Sequence, residues 1–573
     1  MKIRTLFFCL IAFSALGQRV RQAEHQHDVH DGDSHDLNHS HLSHIQEYRK
    51  ETVYVHNLPA PHVLSGIGQA ELTIKTTSPK TQAFFKQGVA LLHCFWDFEA
   101  YRSFKEAIRY DSTAIMPYWG LYSAIGAIEG TDFNADKTLV IAKLKALKKT
   151  ASEQEKLYAE GILLRDADPE NGKQKYQQKL EVIVHKYPQD VDAKLFLALS
   201  KMGGYDPDMN PREGQLYSEY LLRDLLKTHP DNAAVHHYWI HLMENCCPEQ
   251  AVLSAERLPQ LAPASGHMVH MPGHIYYKIG DYKKAYDAFI ASLAVDSVYM
   301  KKEHIPEVDA WNYIHNINYL LSNCAEDGRY KTALYYAEKL KNMPATKERK
   351  QKYEGRFFYQ GVIAPAKMEL CFGFYKKAAD RLAAIQLNND SLFTPKAIAY
   401  KEGLFYFASG MDAVKNNRLA EARRWADALD ASLWRNTSQL TREDVISTRR
   451  INDLNVASLE LQGLIKSAED KHAEAIEILK KAKKREDDLG YSEPPSYARP
   501  VLISLGETYL KANDYPNAIA AYEQLLERHP NSANAYWGLY KVYKQKGDLA
   551  KSEEYAAHLS TVTQFGEKSL FPL

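Results

Sequence analysis

At 573 residues, with 72 basic and 72 acidic side chains, the chain has no surplus charge of either sign. That balance leaves no basic surplus to recruit nucleic acid and no acidic tail, though a localised patch stays open. Hydrophobic residues make up 45% and tyrosines number 37, enough for several cores or one long packed stack.

Read from the start, Lys2 and Arg4 precede an apolar run from Leu6 to Leu16, and Ala15 and Gly17 supply small residues at its end. Residues 1–17 therefore read as a signal peptide, which predicts a secreted or periplasmic protein. No later stretch is apolar enough to span a bilayer. The remaining cysteines, Cys94, Cys246, Cys247, Cys324 and Cys371, are too sparse and too odd in number for a disulfide framework. Adjacent Cys246 and Cys247 read first as small residues at a helix end, with a vicinal disulfide or a soft-metal pair as the other readings.

Residues 18–52 form a histidine-rich tail. The segment 24–44 holds seven histidines, four aspartates and almost nothing apolar. It cannot offset the entropy of folding, so it is expected to be disordered and either to gather metal loosely or to act as a solubilising linker. Residues 53–80 carry Pro and Gly punctuation and are expected to be an extended lead-in against the first helices. Gly66 and Gly68 are no nucleotide loop, because a third glycine and a preceding strand are missing.

From Thr81 a skeleton recurs: a small residue, an apolar residue three on, alanine twelve on and a large or small apolar residue sixteen on. It appears as Gly88, Leu91, Ala100, Phe104 and as Gly273, Tyr276, Ala285, Phe289. Trp239 with Ala251 and Ala255, Gly410 with Ala422 and Ala426, and Gly463 with Ala475 and Leu479 are further copies. The cleanest is Gly506, Tyr509, Ala518, Tyr522, Pro530. Residues 505–530 resemble the tetratricopeptide repeat almost position for position, which implies an all-α, tetratricopeptide-type helical-repeat superhelix, an α-solenoid. We expect N-terminal repeats over 81–345 and C-terminal repeats over 346–573, with 201–214 lengthening one loop between helices.

Six of the 23 histidines lie in 232–280: His236, His237, His241, then His267, His270, His274. Helical periodicity puts His237 and His241 on one face, and His267, His270 and His274 together on another. Imidazoles at i and i+4 converge on one ion, so His236, His237, His241, His270 and His274 are candidate ligands of a transition metal: Zn, Fe, Cu or Ni. His237 to His270 and His241 to His274 both span 33 residues, nearly one repeat, which suggests a single shared site. The competing reading is that these imidazoles only hydrogen-bond and stack among the tyrosines. His185, His229 and His529 sit at helix ends near proline and suit the negative end of the helix dipole.

The tetratricopeptide resemblance implies that His93, His236, Glu244, His267, His270, His274, Lys278 and His315 line the concave side. The stretches 66–108, 118–126, 236–244, 266–282 and 315–320 together resemble a group of secreted bacterial tetratricopeptide proteins with HxxxH strings. That likeness covers about residues 65–340, implies a shared site and supplies no reaction. The stretch 129–133 departs from it. Three functions follow: a metal-binding repeat protein presenting its ion to a ligand or substrate; a metal-dependent hydrolase or oxidase with Glu244 as catalytic general base; or a metal-free scaffold for a protein or peptide partner in the groove. His93, His267, His315, Tyr276 and Tyr277 are expected to support ligands or bind substrate. No serine triad, phosphate loop or paired-carboxylate pattern stands out.

Overall fold

The computed structural model describes residues 59–573 apart from 128–132, 207–209, 348–349, 351–354, 387–394, 438–444 and 491–496. The signal segment 1–17, the tail 18–52 and residues 53–58 lie outside the described residues.

Helix follows helix, as the 3.6-residue apolar period requires. The N-terminal run is α1 (Pro79–His93), α2 (Asp97–Tyr110), α3 (Met116–Ala127), α4 (Asn134–Leu147), α5 (Glu153–Ala167), α6 (Gly172–Lys186), α7 (Val191–Lys201) and α8 (Gln215–Thr228). The histidine-bearing run is α9 (Ala233–Met243), α10 (Val252–Leu261), α11 (Gly266–Lys278), α12 (Tyr282–Glu303), α13 (Trp311–Asp327) and α14 (Tyr330–Lys341). After a π-helical turn at Gly355–Val362 come α15 (Ala364–Cys371), α16 (Tyr375–Ala384), α17 (Pro395–Lys415), α18 (Leu419–Thr437) and α19 (Val445–Ala468). The last are α20 (His472–Asp488), α21 (Val501–Lys511), α22 (Tyr515–Arg528), α23 (Ala533–Lys546) and α24 (Leu549–Val562). Among the described residues there is no strand, only an isolated bridge between Tyr205 and Pro211 in the loop before α8. The fold is an all-α helical-repeat solenoid.

The recurring skeleton has a steric basis. A Cβ on Gly88 would lie 2.5 Å from Phe104, and one on Gly120 would lie 2.2 Å from the same ring. Gly506 and Gly538 clamp Tyr522 in the same way, at 2.6 and 2.2 Å. Each aromatic is thus held between its own repeat and the next, and a methyl group on either side would clash. The skeleton alanines Ala100, Ala251, Ala285, Ala475 and Ala518 are fully buried where paired helices touch. In the copy at Gly410, Ala422 and Ala426 are buried, and the glycine lies nearest Leu461 of α19, as Gly403 lies nearest Leu454.

The lead-in from residue 59 has no helix until α1 and packs inward, burying Ile67, Ala70, Leu72 and Ile74. Asp192 Oδ2 accepts from the backbone N–H of Glu71 and Leu72 at 2.9 and 2.7 Å, and Cys94 Sγ donates to Ile67 O. These contacts satisfy backbone groups that no strand partner serves.

Repeat stacks ordinarily touch only neighbouring repeats. Here the middle of the chain also meets its C-terminal repeats. Tyr282 Oη donates to Pro530 O at 2.7 Å, Asn531 Nδ2 to Gly280 O at 3.2 Å, and Glu567 N to Gly328 O at 2.9 Å. Gly280 has φ 77°, and a Cβ there would sit 2.3 Å from Pro530 O, so the approach requires glycine. This clasp ties the helices around Gly280 and Gly328 to the C-terminal repeats.

Candidate metal centre

Three neighbouring helices carry the site: α9, α11 and α13. Asn232 caps α9 by accepting from Ala234 N, and Ser265 caps α11 by accepting from Met268 N. With those starts fixed, His237 and His241 share one face of α9, and His270 and His274 share one face of α11. Pro272 in α11 cannot donate to the Met268 carbonyl, and Gly273 next to it lets Phe289 press onto the backbone.

The imidazoles form two triads. His237, His241 and His267 each bring one ring nitrogen to within 4.8 Å of the others, and so do His270, His274 and His315. The expectation of one site joining both HxxxH pairs is therefore corrected. Each pair recruits its own third histidine. Nε2 of His237 lies 2.9 Å from Nε2 of His241, and Nε2 of His270 lies 2.6 Å from Nε2 of His274. The triads adjoin, with the His267 and His270 rings stacked 5.8 Å apart.

The opposite nitrogens fix the tautomers. His237 Nδ1 is 2.7 Å from the His93 carbonyl oxygen, which can only accept. His270 Nδ1 donates to Asn316 Oδ1 at 2.7 Å, and Asn316 is oriented by its own bond to Phe289 O. His267 Nδ1 faces Asn312 Oδ1 at 3.2 Å. Glu244 joins the triads: Oε1 lies 3.2 Å from His241 Nδ1 and Oε2 lies 2.7 Å from His274 Nδ1. With their Nδ1 atoms protonated, His237 and His241, and likewise His270 and His274, turn Nε2 lone pairs toward each other. Two lone pairs at that distance repel unless positive charge lies between or beside them.

The walls are aromatic. Phe95, at φ 55°, packs its ring 4.7 Å from His237 and 5.3 Å from His241, while Tyr319 stacks on His274 at 4.1 Å. Trp311 lies 5.1 Å from His267. Beside His267 is a void of about 20 Å³ bounded by Asp296, Asn312, Trp311 and Tyr299, room for about one water. Burial pushes the Asp296 carboxyl up to about 7, against the bond it accepts from Asn312 Nδ2. A Cβ on Gly266 would fall 1.8 Å from Asp296 Oδ1, so glycine makes room for that carboxyl.

Residues 509–564 match the family model for the tetratricopeptide repeat. The chain carries tetratricopeptide repeats. Solved structures similar to it include a human IFIT1 dimer with PPP-AAAA, at 12% identity over 92% of this chain and 98% of that one, with TM-score 0.31. Yeast Tom70 is similar at 11% identity over 85% and 94%, with TM-score 0.29. Naa15/Naa10 bound to HypK-THB is similar at 13% identity over 85% and 90%, with TM-score 0.24. Comparison with curated proteins gives no match.

In the tetratricopeptide frame, the residues expected on an open concave wall are instead interior. His237, His270 and His315 are fully buried, and His274 and Glu244 are 1% exposed, with Phe95, Phe289 and Tyr319 packed on the imidazoles. His236 stands outside both triads. Its Nδ1 meets Ser254 Oγ at 2.9 Å and its Nε2 meets Pro230 O at 2.7 Å, and burial holds its pKa below the usual histidine value. His93 contributes its carbonyl, while its ring lies between Tyr238 Oη and Asp192. Tyr277 lies edge-on to Tyr319 at 6.4 Å, and Tyr276 sits under Lys284 instead. His267 and His315, expected in support, are the third members of the triads. Sequence reasoning missed Phe95, Asn312, Asn316 and Tyr319. A signal existed for two of them: asparagine is a poor helix former, and Asn312 and Asn316 stand one turn apart inside α13.

Proposed function

We propose that this protein binds two transition-metal ions in its helical core, one at His237, His241 and His267 and one at His270, His274 and His315. The observation carrying the reading is the pair of short Nε2···Nε2 separations, 2.9 and 2.6 Å, between imidazoles whose opposite nitrogens are anchored to oxygens. Imidazoles oriented by a carboxylate or carbonyl through Nδ1 are the usual preparation of metal-bound histidines. Three neutral nitrogens suit Zn, Cu, Ni or Fe and leave a further coordination position.

Glu244 serves this reading as an orienting carboxylate shared by the two sites rather than as a general base, since both oxygens are engaged by imidazoles. The protein is then a metal-holding tetratricopeptide protein, with protein or peptide binding as the general property of its repeats. We include export in the proposal on the strength of residues 1–17, with the tail 24–44 gathering metal for the core. Sequencing the mature N-terminus after expression with the full leader tests that part.

A second reading has support in the same distances. Each Nε2 pair also fits a proton shared between two imidazoles, which needs no metal. Metal analysis of the purified protein after supplementation and removal of loose ions separates the two. Two tightly held equivalents support the metal reading, and none after supplementation sinks it. Repeating it on protein lacking residues 24–44 separates core sites from the tail.

A further inference from the structure

Behind the second triad, where the C-terminal repeats close onto α11 and α13, lies a chamber of about 360 Å³. Its lining includes Gly490 and Arg528, both exposed, so it opens to solvent there. Tyr319 is the wall it shares with the histidines. The Tyr319 ring lies 4.1 Å from that of His274, 5.1 Å from His315 and 5.3 Å from His270. One side chain thus packs on all three imidazoles of the triad and also borders the chamber.

The first triad is walled differently. Its rings pack against Phe95, Tyr238 and Trp311, none of which borders the chamber. The void beside His267 is about 20 Å³, room for about one water. Buried imidazoles exchange an ion only when something in the wall moves. At the first triad that means parting close-packed rings and the helices that carry them. At the second, the chamber gives the Tyr319 ring a place to swing into while α11 and α13 stay packed.

The charge of the chamber decides what crosses it. Lys278, Lys367 and Arg528 line it together with Glu326 and Glu486, and Arg499 in its wall is balanced by Glu460 at 3.8 Å. Glu326 is matched by His529 at 2.8 Å, and Arg528 by Asp487 at 2.7 Å. Burial lifts the Glu486 pKa to about 7, which leaves that carboxyl only partly charged at neutral pH. Burial and then the Arg450 charge lower Lys367 only to about 8, so it stays largely charged. The lining leans positive, which repels a bare divalent cation and admits an anion.

We propose that the chamber is the exchange port of the second triad, through which a small carboxylate chelator takes the ion from His270, His274 and His315 or delivers it. The Tyr319 ring swings aside for the transfer, and the first triad keeps its ion. Metal–oxygen bonds form as metal–nitrogen bonds break, and the ion keeps its charge throughout. The inference rests on the metal reading above and adds that the two sites differ in speed.

The test starts from the full chain carrying two equivalents of Zn. It is incubated for timed intervals with pyridine-2,6-dicarboxylate, desalted rapidly and analysed for the Zn that remains. One equivalent should leave about tenfold faster than the other or more, because one ring moves instead of a packed wall. His270→Ala should lack the fast equivalent and His237→Ala should keep it. Tyr319→Ala should speed the fast equivalent, and Ala325→Phe, which fills the chamber from α13, should slow it toward the other. Neutral 1,10-phenanthroline should remove it more slowly than the dicarboxylate does. One common rate for both equivalents, a fast equivalent that survives in His270→Ala, or rates unchanged in both Tyr319→Ala and Ala325→Phe would overturn the exchange port while leaving the metal reading intact. Equal removal by the neutral chelator would overturn the anionic carrier. A chain that holds no Zn after supplementation overturns the metal reading and the port with it.

Discussion

Nε2 of His270 lies 2.6 Å from Nε2 of His274, and both are buried in a wall of rings. Tetrahedral bonds of ~2.0–2.1 Å to one ion place two nitrogens about 3.3 Å apart, so loading metal asks the pair to open by well under 1 Å. The opposite nitrogens already hold the rings in the required orientation. That makes the metal state a small adjustment of this interior rather than a rearrangement.

Metal content should drop by one equivalent per triad. His270→Ala is expected to lose one of two ions and His237→Ala the other, while the double variant binds none. Elemental analysis of desalted protein reads this directly. Because these residues are fully buried, each alanine also destabilises the metal-free protein by on the order of 2 kcal/mol. A melting curve taken in chelator should show it.

Glu244 couples the two sites. Glu244→Gln should weaken both by about 10–100-fold, because an amide cannot orient two Nδ1–H groups as a carboxylate does. Asn312→Ala should weaken only the His237 triad, through His267. Competition against a chromophoric chelator resolves two affinities and shows whether one or both move.

The glycine clamps predict opposite signs at two positions. Gly538→Ala puts a methyl group 2.2 Å from Tyr522 and should destabilise by about 1–3 kcal/mol. Gly126→Ala meets nothing within 4 Å on an exposed helical site and should be neutral or stabilising by up to ~1 kcal/mol. Thermal melting of the pair checks both.

Raising pH should loosen the clasp. Burial pulls the His529 pKa down, but Glu326 outweighs it and holds the pKa above 6.5, so its stabilisation is full below 6.5 and lost as pH rises through the folded value. Burial lifts Glu486 from 4.5 to about 7, so the folded state holds its proton more tightly and loses stability as pH rises across that window. Glu486→Gln should melt higher than wild type at pH 8, and His529→Gln lower at pH 5.5. Both should be measured in chelator, so that metal binding does not enter.

Much of the fold was legible because its rule is local. The sixteen-residue step from Gly88 to Phe104, or from Gly506 to Tyr522, is set by one helical hairpin and survives in sequence. The clasp was not legible, since nothing around Tyr282 announces a partner 248 residues away. In the site, the HxxxH pairs were readable from helical periodicity. Their division into two triads was not, because it depends on how far α9, α11 and α13 are rolled against one another. Placing His236 rather than His237 at an inward repeat position failed for a related reason. It rested on Trp239 filling a small-residue position, and one residue of slip turns a side chain by about 100°.

The clasp also sets an order of events during synthesis. His315, the last of the six triad histidines, leaves the ribosome about 215 residues before Pro530, the partner of Tyr282. At ~5–20 residues per second that is an interval of roughly 10–40 s. During it the nascent chain holds every triad histidine and one half of the clasp without the other. Gly280 and Tyr282 must then find Pro530 and Asn531 after the repeats between them have been made.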